Sequence, residues 1–474
     1  MFTFIASIII LVLGYVVYGK FVEKVFVISD SQTTPAISME DGVDYIPMSW
    51  PRIFLIQFLN IAGLGPIFGA VAGALWGPAA FIWIVLGCIF AGAVHDYFSG
   101  MLSIRHKGTS VSEIVGIYLG NNAKQIMRVF SVVLLVLVGV VFVKGPAGLL
   151  SNITGINATI WVGIIIAYYL LATVLPVDKL IGKIYPLFGA SLLIMAVGIG
   201  VGIIAKGYTI PEITVANLHP GGKPIFPFLF ITIACGAISG FHATQSPLMA
   251  RCVRKESEGR RIFYGSMIAE GIIALIWAAA SMAFFGGTEG LSATIANGGP
   301  AVVVNEISTT LLGTVGGILA LLGVVACPIT SGDTAFRSAR LVIADAINFK
   351  QEKTTNRFMI AIPLFIVGIA LTQMNFAVVW RYFSWSNQTL AMIVLWASAT
   401  YLVKNGKLHW ICTIPATFMT GVTTAYILQA EEGFKLAAGL SNSVGIITAV
   451  VFLGLFLVKS KKSYSIEEEK KMTA

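Results

Sequence analysis

Several ionisable and hydrogen-bonding side chains of this sequence stand inside long apolar runs, where a charge is costly enough to need a role. Glu270 lies about eight residues into the run Ile262–Phe285, roughly 12 Å along a helix rising about 1.5 Å per residue. A bare carboxylate at that depth must be protonated, paired or in contact with water. It can carry or gate a proton, and it can equally hold a neighbouring helix by a hydrogen bond. His242 can donate to a substrate carboxylate or titrate between about pH 5 and 8. A satisfied core histidine is the plainer alternative. Gln245 and Ser246-Pro247 continue the stretch, as polar contacts or as a helix end.

Thr330, Ser331 and Asp333 follow one another in Cys327-Pro328-Ile329-Thr330-Ser331-Gly332-Asp333, within one to two helical turns. Their oxygens suit a hard cation such as Na⁺, and the alternative is an i,i+4 pair between Asp333 and Arg337. His95-Asp96-Tyr97 closes the run Ala79–Phe98 at the expected cytoplasmic surface. Asp96 there either orders the basic loop with Arg105 and Lys107 or takes part in proton exit. Asn387 and Gln388, in an unusually polar stretch that opens with Trp380 and Arg381, are expected to face the bundle interior as gate or packing glue. Trp380 and Arg381 fit an outer interfacial anchor.

Two apolar runs are interrupted by small residues, Gly63-Leu64-Gly65-Pro66-Ile67-Phe68-Gly69 and Gly236-Ala237-Ile238-Ser239-Gly240. Pro66 removes a backbone donor and glycine weakens a helix, so unwound backbone there must line a cavity or pack inside protein. Five spans separate one break from the other, which inverts the second unit and predicts an inverted repeat with a discontinuous helix heading each half. Half-helix N-termini attract an anionic group and freed carbonyls a cation. Gly63, Gly65, Pro66, Gly236, Ser239, Gly240, His242, Asn387 and Gln388 are therefore the substrate-binding candidates. Glu270, Asp96, Thr330, Ser331 and Asp333 are the cation or proton-coupling candidates. Close helix packing through Gly-x-Gly is the competing reading.

The chain is 57% hydrophobic and 11% charged, with a mean hydropathy of +0.87. A span needs roughly 20 apolar residues. About thirteen such runs follow one another from Phe2–Tyr18 to Val444–Val458, which predicts an all-α polytopic membrane protein. The net charge of +9 sits in short clusters between the runs. These clusters fall on one side if the spans alternate, which predicts the N-terminus outside and the C-terminus in the cytoplasm. No nucleic-acid stripe is present. Phe2–Tyr18 lacks a basic leader and a cleavage pattern and reads as a retained helix. The five cysteines show no metal-ligand spacing and read as buried free thiols, so no metal and no cofactor are expected. The expected divisions are an N-terminal helix and linker (1–51), a first repeat (52–205), a second repeat (206–403), two added helices (404–458) and a disordered cytoplasmic tail (459–474).

Thr34-Pro35-Ala36, Asp41-Gly42-Val43-Asp44-Tyr45-Ile46-Pro47, the Ala62–Gly69 break, Gly92-Ala93-Val94-His95-Asp96, Phe226–His242 (FPFLFITIACGAISGFH) and Ser386-Asn387-Gln388 together resemble the carbon starvation protein A family. The resemblance runs from about residue 34 to about residue 400. It implies a bacterial inner-membrane transporter linked to starvation, taking up peptides or, as in related members, pyruvate with protons. It also implies a distant similarity to the amino acid–polyamine–organocation superfamily, whose five-plus-five inverted repeat matches the two breaks. Longer members carry extra segments, some have Gln where His95 stands, and acidic and basic residues similar to Glu270 and Lys144 occur in them.

The expected activity is secondary active uptake of a small organic nutrient, coupled to H⁺ or alternatively Na⁺. Its partners are that solute and the lipid bilayer, with substrate and oligomeric state open. A passive channel or a nutrient sensor is the nearest alternative. An intramembrane aspartyl hydrolase using Asp96 and Asp333 lacks the Gly-x-Gly-Asp and Tyr-Asp contexts, and no other enzyme motif appears.

Overall fold

The computed structural model describes residues 1–42, 44–173, 178–351 and 353–472, with side chains at 178–186 and 461–472 left aside. The described part is helical, without strands. Val43 and residues 473–474, which the sequence reading placed in a motif and in the tail, lie outside it. The backbone stays helical to Met472 where a disordered tail was expected.

The first membrane helix, α1, runs Phe2–Phe26. The next pair, α2 (Trp50–Ile61) and α3 (Gly65–Gly73), meets at a bend of 48°. Helix α4 (Ala79–Arg105) is followed by a short α5 (Val111–Leu119) and a long α6 (Asn121–Thr154). Then come α7 (Ala158–Ala172), α8 (Asp178–Ala205), the half-helices α9 (Ile225–Thr232) and α10 (Gly240–Ala250), and α11 (Glu256–Phe284). The chain ends with α12 (Thr288–Ala320), α13 (Cys327–Ala346), α14 (Thr354–Thr372), α15 (Phe376–Lys404), α16 (Trp410–Gln429) and α17 (Ala438–Met472). Helix α12 is interrupted where Gly299 and Gly313 adopt φ of 72° and 59°, in the left-handed region that glycine tolerates.

Nine helices among the described residues are long and apolar enough to cross a bilayer, ten counting the bent α2–α3 pair. The expected count of about thirteen also needs α7, the α9–α10 pair and α15. These are respectively short, broken and rich in polar side chains. The chain is a multi-pass α-helical membrane protein.

The broken pairs pack reciprocally. Helices α2 and α3 lie against α11, the span that follows the second pair, while α10 lies against α4, the span that follows the first. Helix α6 braces α13 and α15 beside them, and α16 and α17 pack together on the flank. Large apolar side chains stay exposed on the outer faces, as Ile160, Val197, Ile366 and Val450 do. That suits a lipid solvent.

Both ends of the bundle are tied by polar contacts. At one end Arg105, closing α4, donates from Nε and Nη2 to Glu256 at 3.0 and 3.1 Å, from Nη2 to the Val27 carbonyl, and from Nη1 to the Tyr401 hydroxyl. The ends of α1, α4 and α15 and the start of α11 therefore share a face, as the clustering of basic loops requires. At the opposite end the N-terminal amine meets Glu212 at 2.6 Å, and Lys144 donates to the carbonyls of Thr372 and Met374 that close α14. Glu212 also accepts from the backbone of Phe2 and Thr3, and these contacts hold its carboxyl down at about 2. It neutralises the first turn of α1 as a capping carboxylate would.

Candidate functional site

The first break is shorter than its sequence suggested. Only Ala62–Leu64 leave helical hydrogen bonding, and Gly65-Pro66 already open α3, with Pro at the start where its missing N–H costs nothing. Gly69 lies inside α3, where the absence of a side chain lets the Thr232 carbonyl approach. The second break is longer and starts earlier, covering Ile233–Ser239, with Gly240 opening α10. The two breaks touch. A Cβ on Gly65 would stand 2.4 Å from both Cβ and Sγ of Cys235. Gly65→Ala is therefore expected to push the half-helices apart and lower stability by about 1–3 kcal/mol, the usual cost of overpacking. Thermal unfolding of purified protein checks it, and an unchanged midpoint contradicts the contact.

Asn387 and Gln388 replace the hydrogen bonds that the second break loses. Asn387 Nδ2 donates to the Ala234 carbonyl at 3.1 Å, while Oδ1 accepts from the Phe241 amide at 2.7 Å and the Ser239 hydroxyl at 3.2 Å. Gln388 Nε2 donates to the Phe230 carbonyl at 3.1 Å. One side chain thus spans the unwound segment from end to end. Both residues were expected to face the interior as gate or glue, and the contacts they make are those of a brace. Gly240 allows it, since a Cβ there would meet the Asn387 carbonyl at 2.4 Å.

Against this braced segment lies a chain of four ionisable side chains, each fully buried. Asp96 stands between two imidazoles, with Oδ1 2.8 Å from His95 Nδ1 and Oδ2 2.8 Å from His242 Nδ1. His242 Nε2 in turn faces Glu270 Oε2 at 3.3 Å. Asp96 comes from α4 just after a π-helical turn, Cys88–Gly92, and His242 from the first turn of α10. Glu270 comes from the middle of α11. The π-turn brings α4 close, because Gly92 carries no Cβ to meet the Ala237 carbonyl, 2.2 Å from where one would stand. With Asp96 ionised, both imidazoles donate through Nδ1 and turn Nε2 outward as acceptors. Neither Nε2 has a hydrogen-bond partner, nor has either carboxyl oxygen of Glu270. Cys235 Sγ, His242 and Glu270 offer ligand atoms within 4.8 Å of one another.

One sequence expectation changes here, and one buried thiol gains neighbours. Asp96 and His95 were placed at the cytoplasmic surface; they are buried two turns inside α4, which continues to Arg105. Their apolar run appeared to end at Phe98 only because the following Ser99, Gly100 and Ser103 face protein instead of lipid. Cys235 was read as a buried free thiol without metal spacing; it is buried and free, and in space it sits with His242 and Glu270. The signal was the seven-residue interval from Cys235 to His242 across the glycine-rich break, which only the fold turns into proximity.

Thr330, Ser331 and Asp333 do not join this centre. Arg337 Nη2 lies 3.4 Å from Asp333 Oδ2, the i,i+4 pair that was the plainer alternative, and Thr330 donates to the Cys327 carbonyl. Cys327 packs on Leu59, in the turn before the first break, so this segment borders the break from the other side. Gly63 faces the Phe142 ring, and Gly236 faces Ala274 of α11. Two grooves of about 610 and 440 Å³ lie on the flanks, one along α6, α15 and α17 and the other beside α9 and α16. The breaks and the ionisable chain between them are closed to solvent.

The fold is similar to that of a mutant manganese transporter from Eremococcus coleocola, with a TM-score of 0.54 at 12% identity, over 92% of this chain and 100% of that one. An uncharacterized membrane protein of Haemophilus influenzae is 47% identical over 63% of this chain and 95% of its own length. The peptide transporter CstA of Campylobacter jejuni is 26% identical over 93% of this chain and 82% of its own. The family described as carbon starvation protein CstA matches residues 1–147, 146–285 and 279–426, which include both breaks, Asp96, His242 and Glu270. The chain belongs to the carbon starvation protein CstA family.

Proposed function

We propose that the chain is a secondary active transporter that takes up a small organic nutrient, a peptide or pyruvate, across the bacterial cytoplasmic membrane in symport with a cation. The first candidate for that cation is H⁺, and Na⁺ is the alternative. The observation that carries this reading is the charge of the buried centre. Two carboxylates, Asp96 and Glu270, share it with two imidazoles, and among the described residues no Lys or Arg lies within ion-pair distance of either. Taking such charge out of water costs several kcal/mol per ion unless it is answered. A cation arriving at Glu270 answers it beside the two unwound segments, where a solute would be held.

The reciprocal packing of α2–α3 on α11 and of α10 on α4 supports the five-plus-five inverted repeat. The substrate assignment leans on the relatives named as peptide transporters and on the N-terminus of α3, which has no side-chain cap and suits a carboxylate. The clustering of basic loops supports an N-terminus on the outer side. A role in the starvation response follows the family's name.

Uptake by proteoliposomes tests the proposal. Labelled pyruvate or dipeptide should accumulate above the outside concentration when a pH or Na⁺ gradient is imposed. Equilibration that neither gradient alters would leave a passive channel.

A further inference from the structure

We propose that Cys235, His242 and Glu270 form a binding site for a thiophilic divalent transition-metal ion of the zinc class. Binding itself goes beyond the transport reading and does not depend on it.

The ligands come from three segments that the fold brings together: the unwound backbone before α10, the first turn of α10 and the middle of α11. Their donor atoms lie within 4.8 Å of one another, and all three side chains are at most 3% exposed. His242 Nε2 and Glu270 Oε2 are 3.3 Å apart, yet neither has a hydrogen-bond partner. Two ligands about 2.0–2.1 Å from a tetrahedral zinc ion stand about 3.3–3.4 Å apart, so the spacing already suits one edge of such a site. Cys235 Sγ, within 4.8 Å of both, needs an inward swing on the order of 1 Å to stand as the third ligand. Only weak contacts hold it where it is, with Ser239 Oγ at 3.5 Å and Asn387 Nδ2 at 3.7 Å.

The surroundings are those of a metal-bound histidine. Asp96 engages His242 Nδ1 at 2.8 Å, which fixes the tautomer and leaves the Nε2 lone pair available to a metal ion. Charge also balances. A divalent ion offsets one thiolate and the Glu270 carboxylate in a position without Lys or Arg, and leaves the charge of Asp96 to the two imidazoles that flank it. A thiolate and an imidazole select zinc-like ions over Na⁺, Mg²⁺ or Ca²⁺, which want oxygen. With three protein ligands, a fourth position is left for water or an anionic group of a solute.

Co²⁺ titrated into the purified full-length chain, freed of metal by chelator, gives the direct test. One equivalent should bind per chain, with the visible bands of tetrahedral cobalt and a near-ultraviolet band from the thiolate. Cys235→Ser should abolish the thiolate band and weaken binding by roughly 10–100-fold, while Cys412→Ser, at a distant buried thiol, should leave both intact. Thermal unfolding guards against a misfolded variant: Zn²⁺ should raise the midpoint of the parent chain and of Cys412→Ser, and raise that of Cys235→Ser much less. Binding well below one equivalent, or a spectrum that Cys235→Ser leaves unchanged, overturns the site. Neither result touches the transport proposal, whose assay is run with chelator present.

Discussion

Glu270→Gln is expected to abolish accumulation while leaving downhill exchange of the same solute. With an imposed gradient of about two pH units, one proton per solute supports about 100-fold accumulation, at about 1.4 kcal/mol per unit. The variant should show none. Glutamine has the shape of glutamate without its charge, and it adds an amide donor opposite His242 Nε2, the atom that glutamate faces at 3.3 Å. That donor permanently occupies the place a cation must enter and leave, and the Glu270 charge that the ion answers is gone throughout the cycle. Counterflow measures the exchange that survives. Because the loss is in coupling and not in folding, the variant should be at least as thermally stable as the parent, since a buried charge has been removed. Accumulation within about twofold of the parent would refute Glu270 as the coupling residue. Running the experiment with chelator keeps the outcome independent of whether this centre also binds a metal ion.

The parts of the architecture that hydropathy governs were legible in the sequence. Apolar runs of sufficient length, the interruptions at Gly63–Gly69 and Gly236–Gly240, and the clustering of Lys and Arg all follow from what a bilayer tolerates, one segment at a time. Glu270 stood out for the same reason. What stayed hidden depends on which helix faces which. Asp96 looked interfacial because the residues after it are polar, and those residues turned out to be buried against protein. The three-way meeting of Asp96 with His95 and His242 needs the π-turn at Cys88–Gly92 and the approach of Gly92 to Ala237, and neither has a periodicity to read. Cys235 likewise became a candidate ligand only once α10 and α11 were placed side by side. The Asp333–Arg337 pair, in contrast, was readable because both residues sit on one helix at a fixed spacing.

Asn387→Leu is expected to be the most destabilising single change near the centre, and to remove uptake with it. Most side-chain hydrogen bonds between membrane helices contribute modestly, about 0.6 kcal/mol on average, because a polar group displaced from one partner finds another. Asn387 is different in what it serves. Its partners are the Ala234 carbonyl and the Phe241 amide, backbone groups on either side of an unwound segment that has no helical bonds to fall back on. An unsatisfied buried backbone group costs about 1–3 kcal/mol, so losing both gives roughly 2–6 kcal/mol. Gln388→Leu sets the scale, because Gln388 Nε2 bonds the Phe230 carbonyl at 3.1 Å and reaches those of Ile233 and Ala234 only at 3.4 and 3.5 Å, so its change should cost about half as much. Thermal unfolding of the two variants, with uptake measured in parallel, should therefore rank Asn387→Leu well below Gln388→Leu. If the two are equal or the order is reversed, Asn387 does not brace the break. His242 and Cys235, which the break positions, would then have to be held by the packing of α4 and α11 alone.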